Sequence, residues 1–129
     1  MLAKTARIVM VAGALALTVA GALPASARGN DVIRRGSCSA SSDWKLKLSP
    51  EDGRLEVEFE VDSNVNGQTW HVKLLQNGNR IFAGNRVTQA PSGSFEVRKL
   101  ANDTAGTDSF RARAANAATG ETCVGRASI

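Results

Sequence analysis

The sequence predicts an all-β protein: an antiparallel sandwich of about seven strands, preceded by a cleaved N-terminal export signal. Three observations carry this expectation. After residue 27 the apolar residues alternate with polar ones in short runs, as half-buried strands require. Gly, Asn and Pro punctuate those runs at fairly even spacing, where turns belong. No segment of the same region sustains a helical period, which disfavours crossover helices and with them a parallel sheet.

The leader is a separate element. Lys4 and Arg7 precede an apolar run from Ile8 to Leu23 that closes on Pro24-Ala25-Ser26-Ala27. A basic start, an apolar middle and small residues before the cut are what export and signal cleavage need, so residues 1–27 read as a signal peptide. The mature chain is then expected to start at Arg28 and to be secreted or extracytoplasmic, with no membrane segment left after cleavage. A retained span is disfavoured: about 16 apolar residues, interrupted by Gly13, Thr18 and Gly21, are short of the roughly 20 that cross a bilayer. Residues 28–129 suit one domain with a modest core and leave no room for a second.

The entry to that domain is ambiguous, because Arg34 shares the parity of Val32 and Cys38, and Gly36 is a candidate bulge. Segment 43–49 then places Trp44, Leu46 and Leu48 on one face, and 54–62 does the same with Leu55, Val57, Phe59 and Val61. Between them Pro50-Glu51-Asp52-Gly53 reads as a four-residue turn, Pro setting the first φ and Gly taking a positive one. That closure pairs Leu48 with Leu55, Leu46 with Val57 and Trp44 with Phe59 inside, and Lys47 with Glu56 and Lys45 with Glu58 outside. The stripe Glu56, Glu58 and Glu60 reads as a solvated face rather than as paired catalytic carboxylates. Asp62 to Gly67 approaches a calcium loop in its first oxygen positions, but Lys73 stands where a bidentate Glu is needed, so a plain turn is expected.

Segment 69–76 turns Trp70, Val72 and Leu74 inward and Thr69, His71, Lys73 and Leu75 outward. Asn77-Gly78 is the strongest short hairpin signal, and a two-residue turn there pairs Leu74 with Ile81 and Val72 with Ala83 inside. Outside, it sets Leu75 beside Arg80 and Lys73 beside Phe82, so that Leu75 and Phe82 make an outward apolar patch. Pro91-Ser92-Gly93 introduces a strand with Phe95 and Val97 inward and Glu96 and Arg98 outward. In the last hairpin Phe110, Ala112 and Ala114 alternate with Arg111 and Arg113, and a loop of Ala117 to Gly120 sets Cys123 opposite Ala114 and Gly125 opposite Ala112.

Residues 28–129 carry 14 basic against 12 acidic side chains, a net charge of +2. So small a surplus gives no reason to expect a nucleic-acid partner. Cys38 and Cys123 are the only cysteines, and in an oxidising compartment an even count near opposite ends predicts one disulfide. Closing a loop of 85 positions would stabilise the fold by roughly 4 kcal/mol in the loop-entropy model. The pair lacks CxxC spacing, and the chain shows no other metal-ligand pattern, so neither metal nor cofactor is expected.

A first strand with Trp44, an alternating second, Trp70 on the third, and the late run Asp108-Ser109-Phe110-Arg111-Ala112-Arg113-Ala114-Ala115-Asn116 resemble the fibronectin type III and immunoglobulin-like families. The resemblance spans nearly all of residues 28–129 and implies an immunoglobulin-like sandwich. There are two departures. With no tyrosine in the chain, the family's tyrosine corner has only Phe110 as a replacement, and Phe110 cannot donate a hydrogen bond. A Cys38–Cys123 bridge would tie terminal strands together instead of crossing the core between the second and sixth strands. The wording Gly36-Ser37-Cys38, Ser42-Asp43-Trp44 and Thr119-Gly120-Glu121-Thr122-Cys123 is also similar to a group of small exported bacterial proteins, which supports the fold and carries no biochemistry.

Chemistry is sparse. His71 is the sole histidine, and no GxSxG, HExxH or phosphate-binding glycine loop is present, so the expectation is a binding or interaction module rather than an enzyme. If Trp70 and Phe110 lie on neighbouring central strands, as the resemblance implies, then His71, Lys73, Arg111 and Arg113 line one outward basic face. That face would meet an anionic cell-envelope polymer or an acidic protein, with Leu75 and Phe82 giving apolar contact. The plain alternative is a solvated face balanced by Glu121 and nearby acids. A different class is a secreted inhibitor of a protease or other hydrolase, acting through Pro91-Ser92-Gly93 or Asn64-Val65-Asn66. A carrier of a small molecule is disfavoured, since Trp44, Phe59, Trp70, Phe95 and Phe110 are needed to fill so small a core.

Overall fold

Period-two alternation becomes eight strands in the computed structural model, which describes residues 30–129; the export signal and its cleavage site lie outside these residues. The strands are β1 Val32–Ser37, β2 Asp43–Glu51, β3 Arg54–Asp62, β4 Thr69–Gln76, β5 Asn79–Val87, β6 Ser94–Asn102, β7 Ser109–Asn116 and β8 Thr122–Ser128. Two four-stranded sheets result, one in the order β1-β2-β3-β6 and the other β5-β4-β7-β8, with every pairing antiparallel. The inner faces bury Leu46, Leu48, Val57 and Phe59 of the first sheet against Trp70, Val72, Leu74 and Ala114 of the second. Each large aliphatic or aromatic side chain among them contributes about 1.5–3 kcal/mol on burial.

Strand count and two registers differ from the sequence expectation. The ambiguous entry segment is a regular strand, β1, which makes eight strands where about seven are predicted. Gly36 marks no bulge. It pairs directly with Trp44, and a Cβ there would lie 2.6 Å from the indole Cζ2. A Cβ on Gly125 of β8 would lie 2.7 Å from Cζ3 of the same ring, so Trp44 is clamped between two glycines of different sheets.

The β2–β3 turn is two residues, not four. Asp52 and Gly53 both take positive φ, 48° and 76°, the geometry that matches strand twist in a tight hairpin. Pro50 therefore belongs to β2, opposite Leu55. In a two-residue hairpin the pair next to the turn exchanges both hydrogen bonds and the following pair does not, so the missing N–H of Pro50 faces the side where β1 has ended. Inward and outward sets survive, but each partner moves by two: Lys47 faces Glu58 and Lys45 faces Glu60.

The Asn77-Gly78 hairpin begins in the predicted register, with Leu75 opposite Arg80, and then a bulge leaves Ile81 unpaired. Beyond it the phase of β5 is reversed: Phe82 stands opposite Leu74 on the core side, and Ala83 stands opposite Lys73 outside. Phe82 is half-buried against the core, with the Arg86 guanidinium 5.0 Å from its ring centroid. An outward patch of Leu75 with Phe82 is therefore not formed.

The corner before β7 is closed by a residue the sequence reading did not select. Asp108 is fully buried and accepts hydrogen bonds from the Thr104 backbone N–H, the Thr104 hydroxyl, Gln76 Nε2 and Asn77 Nδ2. It thereby performs what a tyrosine corner performs, bonding back to backbone a few residues upstream, as an acceptor instead of a donor. Phe110 is only a core residue.

Cys38 and Cys123 form the disulfide, with S–S 2.02 Å, joining the segment after β1 to β8 and hence one sheet to the other. Glu121 reinforces the same edge. Its carboxylate accepts from the backbone N–H groups of Ala40 and Ser42 and from the Ser42 hydroxyl.

Candidate functional site

The outer faces of the two sheets differ in how their charges are arranged. On the first sheet, Lys45 lies 3.9 Å from Glu60, Lys47 lies 3.7 Å from both Glu58 and Asp31, and Arg98 reaches Glu58 at 2.7 Å. Lys47 and Glu58 are only 7% and 8% exposed, so these pairings neutralise charge that would otherwise be costly to bury. Burial and the neighbouring Glu58 push the Glu56 carboxyl up from its ordinary value, against the pull of Arg98.

The four strands of the second sheet contain no Asp or Glu, against seven in the strands of the first. Trp70 and Phe110 do lie on adjacent central strands, β4 and β7. The outward residues consequently align in rows across the sheet. One row runs Arg80, Leu75, Arg111, Arg126; the next runs Ala83, Lys73, Arg113, Val124; the third runs Asn85, His71, Ala115, Thr122. Lys73, Arg80, Arg111, Arg113 and Arg126 are all exposed. Among the described residues, none of these five cations has a carboxylate within 4.0 Å.

Two cross-strand pairs on this face are therefore like-charged, Lys73 with Arg113 and Arg111 with Arg126. Directly opposed like charges cost stability, by about 0.2–1 kcal/mol per pair. Glu121, the expected counter-charge, is spent on the Ala40–Ser42 segment. His71 and Leu75 take their predicted outward places, His71 exposed with its Nδ1 against Asn85 Oδ1, and Leu75 half-buried. Phe82 alone of the expected set is elsewhere. Arg80 and Arg126 complete the face although the sequence reading did not select them; the pairing of Gly125 with Ala112 already places Arg126 opposite Arg111.

The two candidate loops meet at one end of the sandwich. Ser63 donates its N–H and hydroxyl to the Gly93 carbonyl, and a Cβ on Gly93 would lie 2.3 Å from the Val65 nitrogen. Val65 is 52% exposed, but its N–H goes to Ser63 Oγ and its carbonyl accepts from the Ser63 and Thr88 hydroxyls. Asn64 adopts φ 57°, with its N–H bonded to Asp62 Oδ1.

Comparison of the chain with family models, curated proteins and solved structures finds no match. The disulfide fits an extracytoplasmic protein, and among the described residues no helix is long and apolar enough to cross a membrane.

Proposed function

We propose that the protein is an exported, non-catalytic binding module of the fibronectin type III kind, whose basic outer face holds an anionic polymer of the cell envelope. With β1 set aside, the fourth of the remaining seven strands joins the third rather than the fifth, whereas in immunoglobulin constant domains it joins the fifth. That difference favours the fibronectin side of the resemblance. The reading as a binder is carried by the like-charge pairs Lys73–Arg113 and Arg111–Arg126 on a face whose strands have no carboxylate. An arrangement that costs stability within the molecule is accounted for when an external polyanion supplies the missing charge. In keeping with a non-catalytic role, His71 sits on an open sheet face beside Asn85, and among the described residues no nucleophile is bonded to it.

Inhibition of a hydrolase is less well supported. A substrate-like loop needs extended backbone with free N–H and C=O groups, and Val65 spends both within its own chain. The deciding experiment is co-sedimentation of the disulfide-intact protein with purified cell envelope at low and high salt. Pelleting that salt reverses, and that Arg111→Ser with Arg113→Ser weakens without unfolding the domain, is the expected result. Protein that stays in the supernatant at low salt would overturn the proposal.

A further inference from the structure

The row Arg80, Leu75, Arg111, Arg126 ends in a pocket of about 310 Å³ walled by Leu75, Gly78, Ser109, Arg111, Arg126 and Ser128. We infer that this pocket binds a phosphate monoester carried on an aliphatic stem. Arg111 and Arg126 are direct cross-strand partners, and beside them Ser109 and Ser128 form the next pair, their hydroxyls 3.1 Å apart. Four donor-bearing side chains thus border one small space, two of them planar guanidinium forks suited to oxyanions.

Charge decides between oxyanions. Two unneutralised guanidinium groups match a phosphate monoester, which carries close to two negative charges and three terminal oxygens at neutral pH. A carboxylate, with one charge and two oxygens, would leave one guanidinium unanswered. Half-buried Leu75 gives the remaining wall its apolar side chain, Phe110 and Ala127 turning theirs inward to the core, so the group next to the phosphate is a short aliphatic stem rather than a sugar ring rich in hydroxyls. The volume is at the lower end for ligand sites, which suits an end group or a small ester and not a folded polymer segment. The inference rests on the basic-face reading for the source of this ligand, the phosphate terminus of a polyanion that continues along Arg113 and Lys73.

The test is a titration of the disulfide-intact protein with hexyl phosphate, against inorganic phosphate and hexanoate, followed by backbone amide chemical shifts. Hexyl phosphate is expected to bind most tightly, with the largest shifts at Ser109, Arg111, Arg126 and Ser128. Arg126→Ser should weaken it about tenfold or more, and Arg126→Lys, which keeps the charge but loses the fork, severalfold. Lys99→Ser, on β6 of the other sheet, should change it less than about twofold, because it removes a positive charge that the pocket does not share. Since Arg126→Ser also removes a like-charge pair, its thermal midpoint should hold or rise while binding falls. Equal affinity for hexanoate would overturn the phosphate assignment. Equal affinity for inorganic phosphate would overturn the stem, and undiminished binding by both Arg126 variants would overturn the pocket. Hexyl phosphate binding without envelope pelleting would sink the polymer reading and leave the pocket as the site of a small phosphate ester; the reverse pattern would sink the pocket alone.

Discussion

Asp108 shows how a single buried charge is made tolerable. The Thr104 hydroxyl first, then Gln76, the Thr104 backbone and Asn77, hold its carboxyl below the ordinary aspartate value in spite of burial. Its folded value lies below its unfolded one, so the stabilisation is complete above about pH 4 and is lost as pH falls through the folded value. Asp108→Asn should cost about 1–3 kcal/mol at neutral pH by leaving donors unsatisfied, and should flatten the loss of stability as pH falls below about 4. Urea unfolding across that range checks it; an unaltered acid slope would count against the role. Trp44 poses a steric problem instead. Gly125→Ala drives a Cβ to 2.7 Å from the indole and should cost about 1–3 kcal/mol, read from the denaturation midpoint with tryptophan fluorescence as the probe.

Among the elements, the hairpins show how far local signals reach. Faces follow from alternation, so Trp44, Leu46, Leu48, Leu55, Val57 and Phe59 were legible as inward before any register was known. Register depends on the turn. Pro50 drew the β2–β3 turn out to four residues, although Asp52-Gly53 alone accommodates both positive φ angles. The Ile81 bulge was not legible at all: residues 79–87 alternate acceptably in either phase, and only packing of Phe82 against the core and Arg86 selects one. The disulfide acts at the same scale by tying β8 to the segment after β1. Replacing Cys38 and Cys123 together with Ala should cost up to about 4 kcal/mol, given their sequence separation of 85, and should lower the guanidinium midpoint without altering the native fold. An unchanged midpoint would mean that Glu121 and the β1–β8 contacts hold that edge unaided.

In the whole molecule, the two outer faces differ in their electrostatics: the first sheet pairs Lys45, Lys47 and Arg98 with carboxylates, and the second, among the described residues, leaves five cations with none within 4.0 Å. Lys73→Glu should turn the repulsive pair with Arg113 into an attractive one, raising stability by about 0.5–1 kcal/mol while weakening envelope pelleting. A variant that gains stability and keeps full binding would show the face to be an ordinary solvated surface. Most of this site was legible in pieces. His71, Lys73, Leu75, Arg111 and Arg113 follow from parity on two strands, while Arg80 and Arg126 acquire meaning only once β5 and β8 are seen to flank the same sheet. By itself, the sequence determined the all-β class, the inward and outward faces of the strands other than β1 and β5, and the pairing of the two cysteines, because these depend on period-two alternation and a count. Only the tertiary structure decided which strands share a sheet. Pairings such as β3 with β6 and β4 with β7 join segments far apart in the chain, and the absence of carboxylates from a face is a property of four strands together and of none of them alone.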